Sequence, residues 1–184
     1  MVEIRKADDK EKYMQLLLLG DEQESMVRKY LDKGVIYVLV DGDVKGEILV
    51  TNEGNGILEI KNFAVYPCYQ KRGYGKALIE YVFNKYANDY SSVVVGTGDS
   101  PLTLPFYEHQ GFVKTHAIKD FFLTNYDHPI VENGVLLTDM VYLEKKLNKK
   151  NDNLLKIDYK LSLSFSVQIG VVRPTEFIIY IKYN

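Results

Sequence analysis

Cysteine is nearly absent from this chain. Cys68 stands alone, so no disulfide can form within it. A reducing compartment is the expectation, and the cytoplasm is the default. No apolar run approaches the ~20 residues needed to span a bilayer. The N-terminus, MVEIRKADDKEK, has no apolar stretch of the kind found in a signal peptide. Long basic runs are also missing, and the formal net charge is -2. Nucleic acid is a poor partner for such a chain, because neutralising phosphates needs clustered Lys and Arg. His109, His116 and His128 show no metal-ligand spacing such as HExxH, so no metal is expected.

What is present fits a soluble globular chain: 46% hydrophobic and 26% charged residues over a length of 184. That length suggests one domain, or one domain with an appendage. Val2 to Arg5 reads as a first strand. Asp8 or Asp9 can cap a helix running to Leu19, and Glu22 to Lys33 fits a second, with Gly34 after it. Val35 to Val40 is a continuous apolar, β-branched run. Asp41-Gly42 signals a type I′ hairpin turn, and Val44 to Thr51 returns. Asn52 to Gly56, NEGNG, makes the next turn, and Ile57 to Val65 is a third strand. Its alternation is broken, since Phe63, Ala64 and Val65 are all apolar. Either both faces are buried, or a bulge near Asn62 shifts the register by one.

Downstream, Ala77, Leu78, Tyr81, Val82 and Tyr86 mark one helix face. Ser92 to Val95 is a short buried strand. A helix ends at Gly111, Phe112 to Ala117 is a strand, and Thr138 to Leu143 is another. The pattern predicts an α/β sandwich with a mixed sheet. The polar break NKKNDN, Asn148 to Asn153, closes a domain of residues 1–147. In the tail, residues 148–184, Leu161, Leu163, Phe165, Val167 and Ile169 alternate with polar residues, and Phe177 to Tyr183 could pair back. A C-terminal β-hairpin appendage is expected there. A lone hairpin is marginal in water and exposes edges, so it should dock on the domain or join a homodimer.

The run Gln70 to Ala77, QKRGYGKA, lies between a strand and a helix. That arrangement presents backbone N–H groups with no intrahelical partner, and the helix dipole favours an anion there. Gly73 and Gly75 allow close approach, and Lys71, Arg72 and Lys76 add positive charge. Two glycines alone also fit an ordinary strand-to-helix turn. Neither the Walker loop nor the GxGxxG fingerprint is present.

The run resembles motif A of the GNAT superfamily of N-acetyltransferases, [QR]xxGx[GA], with Gln70, Gly73 and Gly75 in its fixed positions. FAVYP, Phe63 to Pro67, is similar to the family's fourth strand and its exit. LPFYEHQGF, Leu104 to Phe112, resembles the FY-x-x-x-GF segment. Asp127 to Leu147 resembles the C-terminus of a small bacterial GNAT subgroup. The resemblance covers residues 1–147 and implies a mixed, mostly antiparallel central sheet flanked by helices. It also implies acetyl-CoA as co-substrate. Backbone groups of Phe63, Ala64 and Val65 would hold pantetheine and the acetyl carbonyl, beside a splay between the fourth and fifth strands. Gln70, Lys71, Arg72, Gly73, Tyr74, Gly75 and Lys76 would hold the pyrophosphate. The Val65 N–H would be the oxyanion donor.

Acetylating an amine requires it neutral. For a lysine-like amine of pKa ~10.4, deprotonation at pH 7 costs on the order of 4–5 kcal/mol, and a general base lowers that cost. Glu59 is the candidate base, by its position on the fourth strand. Burial among Leu58, Ile60 and Phe63 would raise its pKa. The alternatives are a glutamate paired with Lys61 or a neighbouring-strand lysine, and a water chain as the base. Tyr107 occupies the place of the family's FY tyrosine, which donates to the CoA sulfur; an aromatic core residue is the alternative, though Phe106 is the more natural core candidate. In the preceding GTGDSPLTL, Asp99 replaces the family's asparagine while Ser100 remains, and Ser100 joins the cofactor-binding candidates. Pro105 would break a helix begun at Ser100, so a start at Thr103 is expected. Asp127 and Glu132 flank a loop that could cover the acceptor. The function implied is acetyl transfer to a small-molecule or peptide amine, by direct attack in a ternary complex. The alternative is a non-catalytic acyl-CoA-binding or assembly module.

Overall fold

The computed structural model describes residues 2–149 apart from Leu102. The chain begins with β1 (Glu3–Lys6), a 3-10 turn at Glu11–Tyr13, α1 (Met14–Gly20) and α2 (Glu24–Leu31). The meander β2 (Val35–Asp41), β3 (Asp43–Gly54) and β4 (Ile57–Val65) follows. Next come α3 (Tyr74–Tyr86), β5 (Ser92–Gly98), α4 (Thr103–His109) and β6 (Val113–Ile118). The described part closes with α5 (Phe121–Asn125), β7 (Val131–Glu132), β8 (Val135–Leu136) and β9 (Met140–Lys146).

Seven strands form one sheet in the order β1-β2-β3-β4-β5-β9-β6. Every neighbouring pair is antiparallel except β4 and β5. The expected mixed, mostly antiparallel sheet flanked by helices is therefore what forms. Its two faces are covered by different helices. Ile48, Val50, Leu58 and Ile60 pack with Leu78, Ile79 and Val82 of α3 and Leu104 of α4. Ile36, Val38 and Leu49 pack on the other face with Leu17 of α1 and Val27 and Leu31 of α2. Tyr37 and Leu39 join the first cluster while Ile36 and Val38 join the second, which is why β2 reads as an unbroken apolar run. Each fully buried side chain of this kind contributes about 1.5–3 kcal/mol.

Both readings of the third predicted strand hold for β4. Leu49 pairs with Asn62 but Val50 pairs with Ile60, so Lys61 is an extra residue and the register slips. Before the bulge Leu58 and Ile60 face α3; after it Phe63 and Val65 do. Glu59, Asn62 and Ala64 are also buried. The parallel pairing of β4 with β5 runs only from Ile57 with Ser92 to Ile60 with Val95. Beyond that point the strands part. Phe63 to Val65 pair with β3 alone, and Gly96 to Gly98 pair with β9 alone.

Several local expectations are corrected. A type I′ turn needs φ > 0 at both central residues, yet at Asp41-Gly42 only Gly42 has it, with φ 78°. Asp41 stays in β2 and pairs with Asp43. The left-handed pair instead falls at Asn55-Gly56, φ 51° and 74°, where it closes β3 onto β4. The first helix starts later than expected, at Met14 after a 3-10 turn. Pro105 is the third residue of α4, where its missing N–H costs no intrahelical bond, as the start at Thr103 required. The α5 helix and the β7–β8 pair were not anticipated. That pair lies inside the domain and is distinct from the hairpin expected in the tail. The tail from residue 150, with its expected hairpin and dimer contact, lies outside the described residues.

Candidate active site

The glycine loop leaves β4 through a 3-10 turn at Pro67–Tyr69. Gln70 Nε2 donates to Val65 O at 3.1 Å, tying the loop back to the strand end. Lys71 takes φ 60°, and Gly73, the N-cap of α3, takes φ 86°. No side chain caps this helix, and its first turn closes from Ala77 N–H to Gly73 O at 3.0 Å. The N–H groups of Tyr74, Gly75 and Lys76 therefore have no intrahelical acceptor. A Cβ on Gly75 would lie 3.0 Å from Phe63 Cζ, so glycine lets α3 approach β4 here.

A cleft of about 1300 Å³ runs from this loop through the gap between β4 and β5. Phe63, Ala64 and Val65 line one side and Gly96, Thr97 and Gly98 the other. Gln70, Lys71, Gly73, Gly75 and Lys76 line its loop end. The side chains of Arg72 and Tyr74 point elsewhere. Arg72 lies over the Tyr69 ring at 5.5 Å, and Tyr74 donates its hydroxyl to Asp41 Oδ2 at 2.7 Å. Neither side chain lines the cleft. Ser100 is wholly buried and its carbonyl accepts from Leu104 N–H at 3.2 Å. It serves the start of α4 and lies off the cleft wall.

The two adjacent aromatics of α4 take different surroundings. Leu104 and Tyr107, three apart, face the core, and Phe106 lines the cleft with its ring stacked 5.6 Å from Phe63. Tyr107 is 5% exposed, with its ring 6.4 Å from that of Phe63 and 5.6 Å from that of Phe112. Burial, and after it the charges of Glu47 and Glu132, push its phenol pKa up, so it holds its proton.

Glu59 lines the cleft and is 7% exposed. Its surroundings are not the apolar ones expected, because Leu58, Ile60 and Phe63 face the opposite side of the sheet. Instead Lys61 Nζ sits 2.5 Å from Glu59 Oε2, and Tyr142 donates its hydroxyl to Oε1 at 3.4 Å. Strand alternation puts Lys61, two residues on, beside Glu59, and the bulge then turns Asn62 to the same side.

Comparison with known proteins agrees with this geometry. Residues 32–114, from the end of α2 to the first residues of β6, match the family model described as acetyltransferase (GNAT) domain. An uncharacterised N-acetyltransferase of Bacillus subtilis, YvbK, is 36% identical over 131 residues, which are 70% of this chain and 84% of that protein. The chain belongs to the GNAT acetyltransferase family. Two solved GNAT structures align with most of it. An IAA acetyltransferase from Bacillus cereus is 32% identical, with a TM-score of 0.75, over 80% of this chain and 100% of that one. A GNAT family acetyltransferase from Elizabethkingia anophelis, solved with acetyl-CoA bound, is 34% identical, with a TM-score of 0.74, over 79% and 98%.

This GNAT chain also carries a buried polar layer that sequence reading missed, on the α1–α2 face of the sheet. Glu47 is 0% exposed and neither of its carboxyl oxygens has a hydrogen bond. Desolvation drives its pKa well above its ordinary value and outweighs the opposing effect of the Ala64 backbone. Asn62 donates to Leu17 O at 2.9 Å and to Tyr30 Oη at 2.8 Å, while its own Oδ1 has no partner. Tyr30 in turn donates to Asp21 Oδ2 and Tyr126 donates to Asp21 Oδ1, both at 3.0 Å. These residues come from separate segments with no spacing to link them. Glu47 alone left a trace, as the one charge in the run GEILV.

Proposed function

We propose that this GNAT enzyme moves the acetyl group of acetyl-CoA to a primary amine by direct attack in a ternary complex. One observation carries the reading: the unpaired edges of β4 and β5 open into the same cleft as the uncapped N-terminus of α3. An extended thioester arm can pair with such strand edges, and a diphosphate suits the helix end. The amides from Gln70 to Lys76 take the pyrophosphate, with Lys71 and Lys76 adding charge. Backbone groups of Phe63, Ala64 and Val65 hold the arm and the acetyl carbonyl, and the Val65 N–H meets the oxyanion.

In the reaction the amine nitrogen forms a bond to the thioester carbon and the carbon–sulfur bond breaks. The proton lost by nitrogen goes to Glu59, directly or through water. Tyr107, kept protonated by burial, supplies a proton to the leaving sulfur. Its ring packs against Phe63, beside the backbone that holds the arm. The acceptor reaches the bulge from the α1–α2 side of the sheet. Cytoplasmic residence and a homodimer joined through the tail belong to the same reading.

Thiol release from acetyl-CoA across a panel of amines tests it. Amine-dependent release, together with a rise in melting temperature on adding acetyl-CoA, is expected. No release with any amine, or no thermal shift at saturating acetyl-CoA, would overturn it. A dimer that survives truncation after Leu147 in size-exclusion chromatography would remove the tail from assembly.

A further inference from the structure

The acceptor side of the cleft holds a carboxylate in an unusual setting. Asp21 ends α1, where its backbone N–H donates to Leu17 O at 3.0 Å. Gly20 just before it has no room for a side chain: a Cβ there would lie 2.3 Å from Asn62 Oδ1 and 3.1 Å from Phe63 O. The end of α1 is thereby pressed onto β4 beside the bulge, where the proposed reaction delivers the acetyl group. Asp21 follows directly and lines the cleft.

Its carboxylate is fixed from two sides. Tyr30 on α2 and Tyr126 after α5 each donate a phenol proton to it, one to each oxygen. Asn62 holds the Tyr30 hydroxyl in turn. The Gln23 backbone N–H adds a long contact to Oδ1 at 3.5 Å. These donors orient the carboxylate without neutralising it, and Oδ2 retains a further lone pair. Among the described residues no cation stands within ion-pair distance of Asp21; Lys29 acts on it only from further off. The neighbouring acids are already engaged: Glu59 with Lys61, Glu22 with His128, and Glu132 with the Thr103 hydroxyl. The wall beside Asp21 is apolar, built from Phe121, Phe122, Tyr126 and Ile130. A half-buried carboxylate that faces an open cleft with only neutral donors and no counter-charge at ion-pair distance is matched by a cationic ligand.

We infer that Asp21 selects the acceptor: it binds the ammonium form of a primary amine whose adjoining body is apolar or aromatic, and holds that nitrogen beside the β4 bulge. There the ammonium first gives one proton to water in the open cleft, the neutral amine attacks, and the second proton goes to Glu59 as above. This rests on the amine acetylation proposed above. Asp21 acts here in recognition. An amine lacking the positive charge gains nothing from it, and an acidic acceptor is repelled.

Benzylamine and aniline separate the two contributions, since both carry an aromatic body but only benzylamine is cationic at neutral pH. In Asp21→Asn, the KM for benzylamine should rise about 10- to 100-fold, the range of a lost charge-assisted hydrogen bond. The KM values for aniline and for acetyl-CoA should stay within about two-fold, with kcat little changed. On the wild-type protein, where folding is not at issue, benzamidine should compete with benzylamine while its neutral counterpart benzamide does not. Equal rises in KM for both amines in Asp21→Asn, or equal inhibition by benzamidine and benzamide, would overturn the role of Asp21 and leave acetyl transfer standing. A wild-type protein stabilised by acetyl-CoA that acetylates no amine would instead overturn the amine reading.

Discussion

Lys61 Nζ meets Glu59 Oε2 at 2.5 Å, two residues apart on one face of β4 at the edge of its bulge. The pair gives Glu59 two roles that can be told apart, one in holding the bulge and one in taking a proton. Glu59→Gln should lower kcat by ~10²-fold or more if the carboxylate is the base, with the KM for acetyl-CoA little changed. Lys61→Met should cost stability, about 2 kcal/mol, because it strands a buried carboxylate. Combining Lys61→Met with Glu59→Gln should recover part of that loss. Chemical denaturation of the two single variants and the double variant measures the coupling. Glu59→Gln with unchanged kcat would assign the base to water.

Tyr107 packs among Phe63, Phe106 and Phe112, so removing only its hydroxyl leaves the aromatic contacts in place. Tyr107→Phe is therefore expected to keep its melting temperature within a few degrees. If the phenol protonates the leaving sulfur, kcat falls by ~10²-fold while the KM for acetyl-CoA is held. Steady-state thiol release together with a melting curve checks both halves. Wild-type turnover in this variant would leave Tyr107 as a core residue only.

The sheet was legible in the sequence because its strands are short apolar, β-branched runs bounded by turn residues, and the bulge was legible because the alternation of β4 fails at one place. Leu58 and Ile60 agree on one face, Phe63 and Val65 agree on the same face, and the count between them is odd. The glycine loop was legible through its likeness to motif A, since Gly73, Gly75 and three cations by themselves also fit an ordinary strand-to-helix turn. Facing on short helices was not legible. Phe106 and Tyr107 are adjacent and similar, and which one lines the cleft depends on where Pro105 lets α4 begin. The Asp21–Tyr30–Asn62 layer was invisible because its members are polar residues brought together only by tertiary packing. The same is true of α5 and the β7–β8 pair, which are too short to show a period.

Glu47 predicts a pH dependence of stability. Its folded-state pKa is raised well above the usual 4.5 by burial. Such a group contributes fully below the unfolded value, and the contribution is lost as pH rises through the folded one. Wild-type stability should therefore fall as pH climbs from about 4.5 into the raised range. Glu47→Gln removes the ionisation while keeping the shape. The two proteins should match near pH 4, and the variant should melt higher at pH 8, each kcal/mol being worth about 2–4 °C at this size. Parallel melting curves across that range would show that Glu47 titrates alike in the folded and unfolded protein, so that burial does not raise its pKa.

The glycines of the loop make separable demands. At Gly73 a Cβ would meet nothing within 4 Å, but the residue holds φ 86°, which side chains other than hydrogen resist. Gly73→Ala should cost about 1 kcal/mol through the backbone and weaken acetyl-CoA binding by disturbing the amides that face the pyrophosphate. Gly75 carries no positive φ, and its constraint is Phe63 Cζ at 3.0 Å. Gly75→Val should push the Phe63 ring and so widen or tilt the cleft, raising the KM for acetyl-CoA more than it lowers stability. Titration of each variant with acetyl-CoA, followed by thermal shift, separates backbone strain from lost contact. Gly73→Ala with wild-type affinity would mean that the loop amides do not carry the anion.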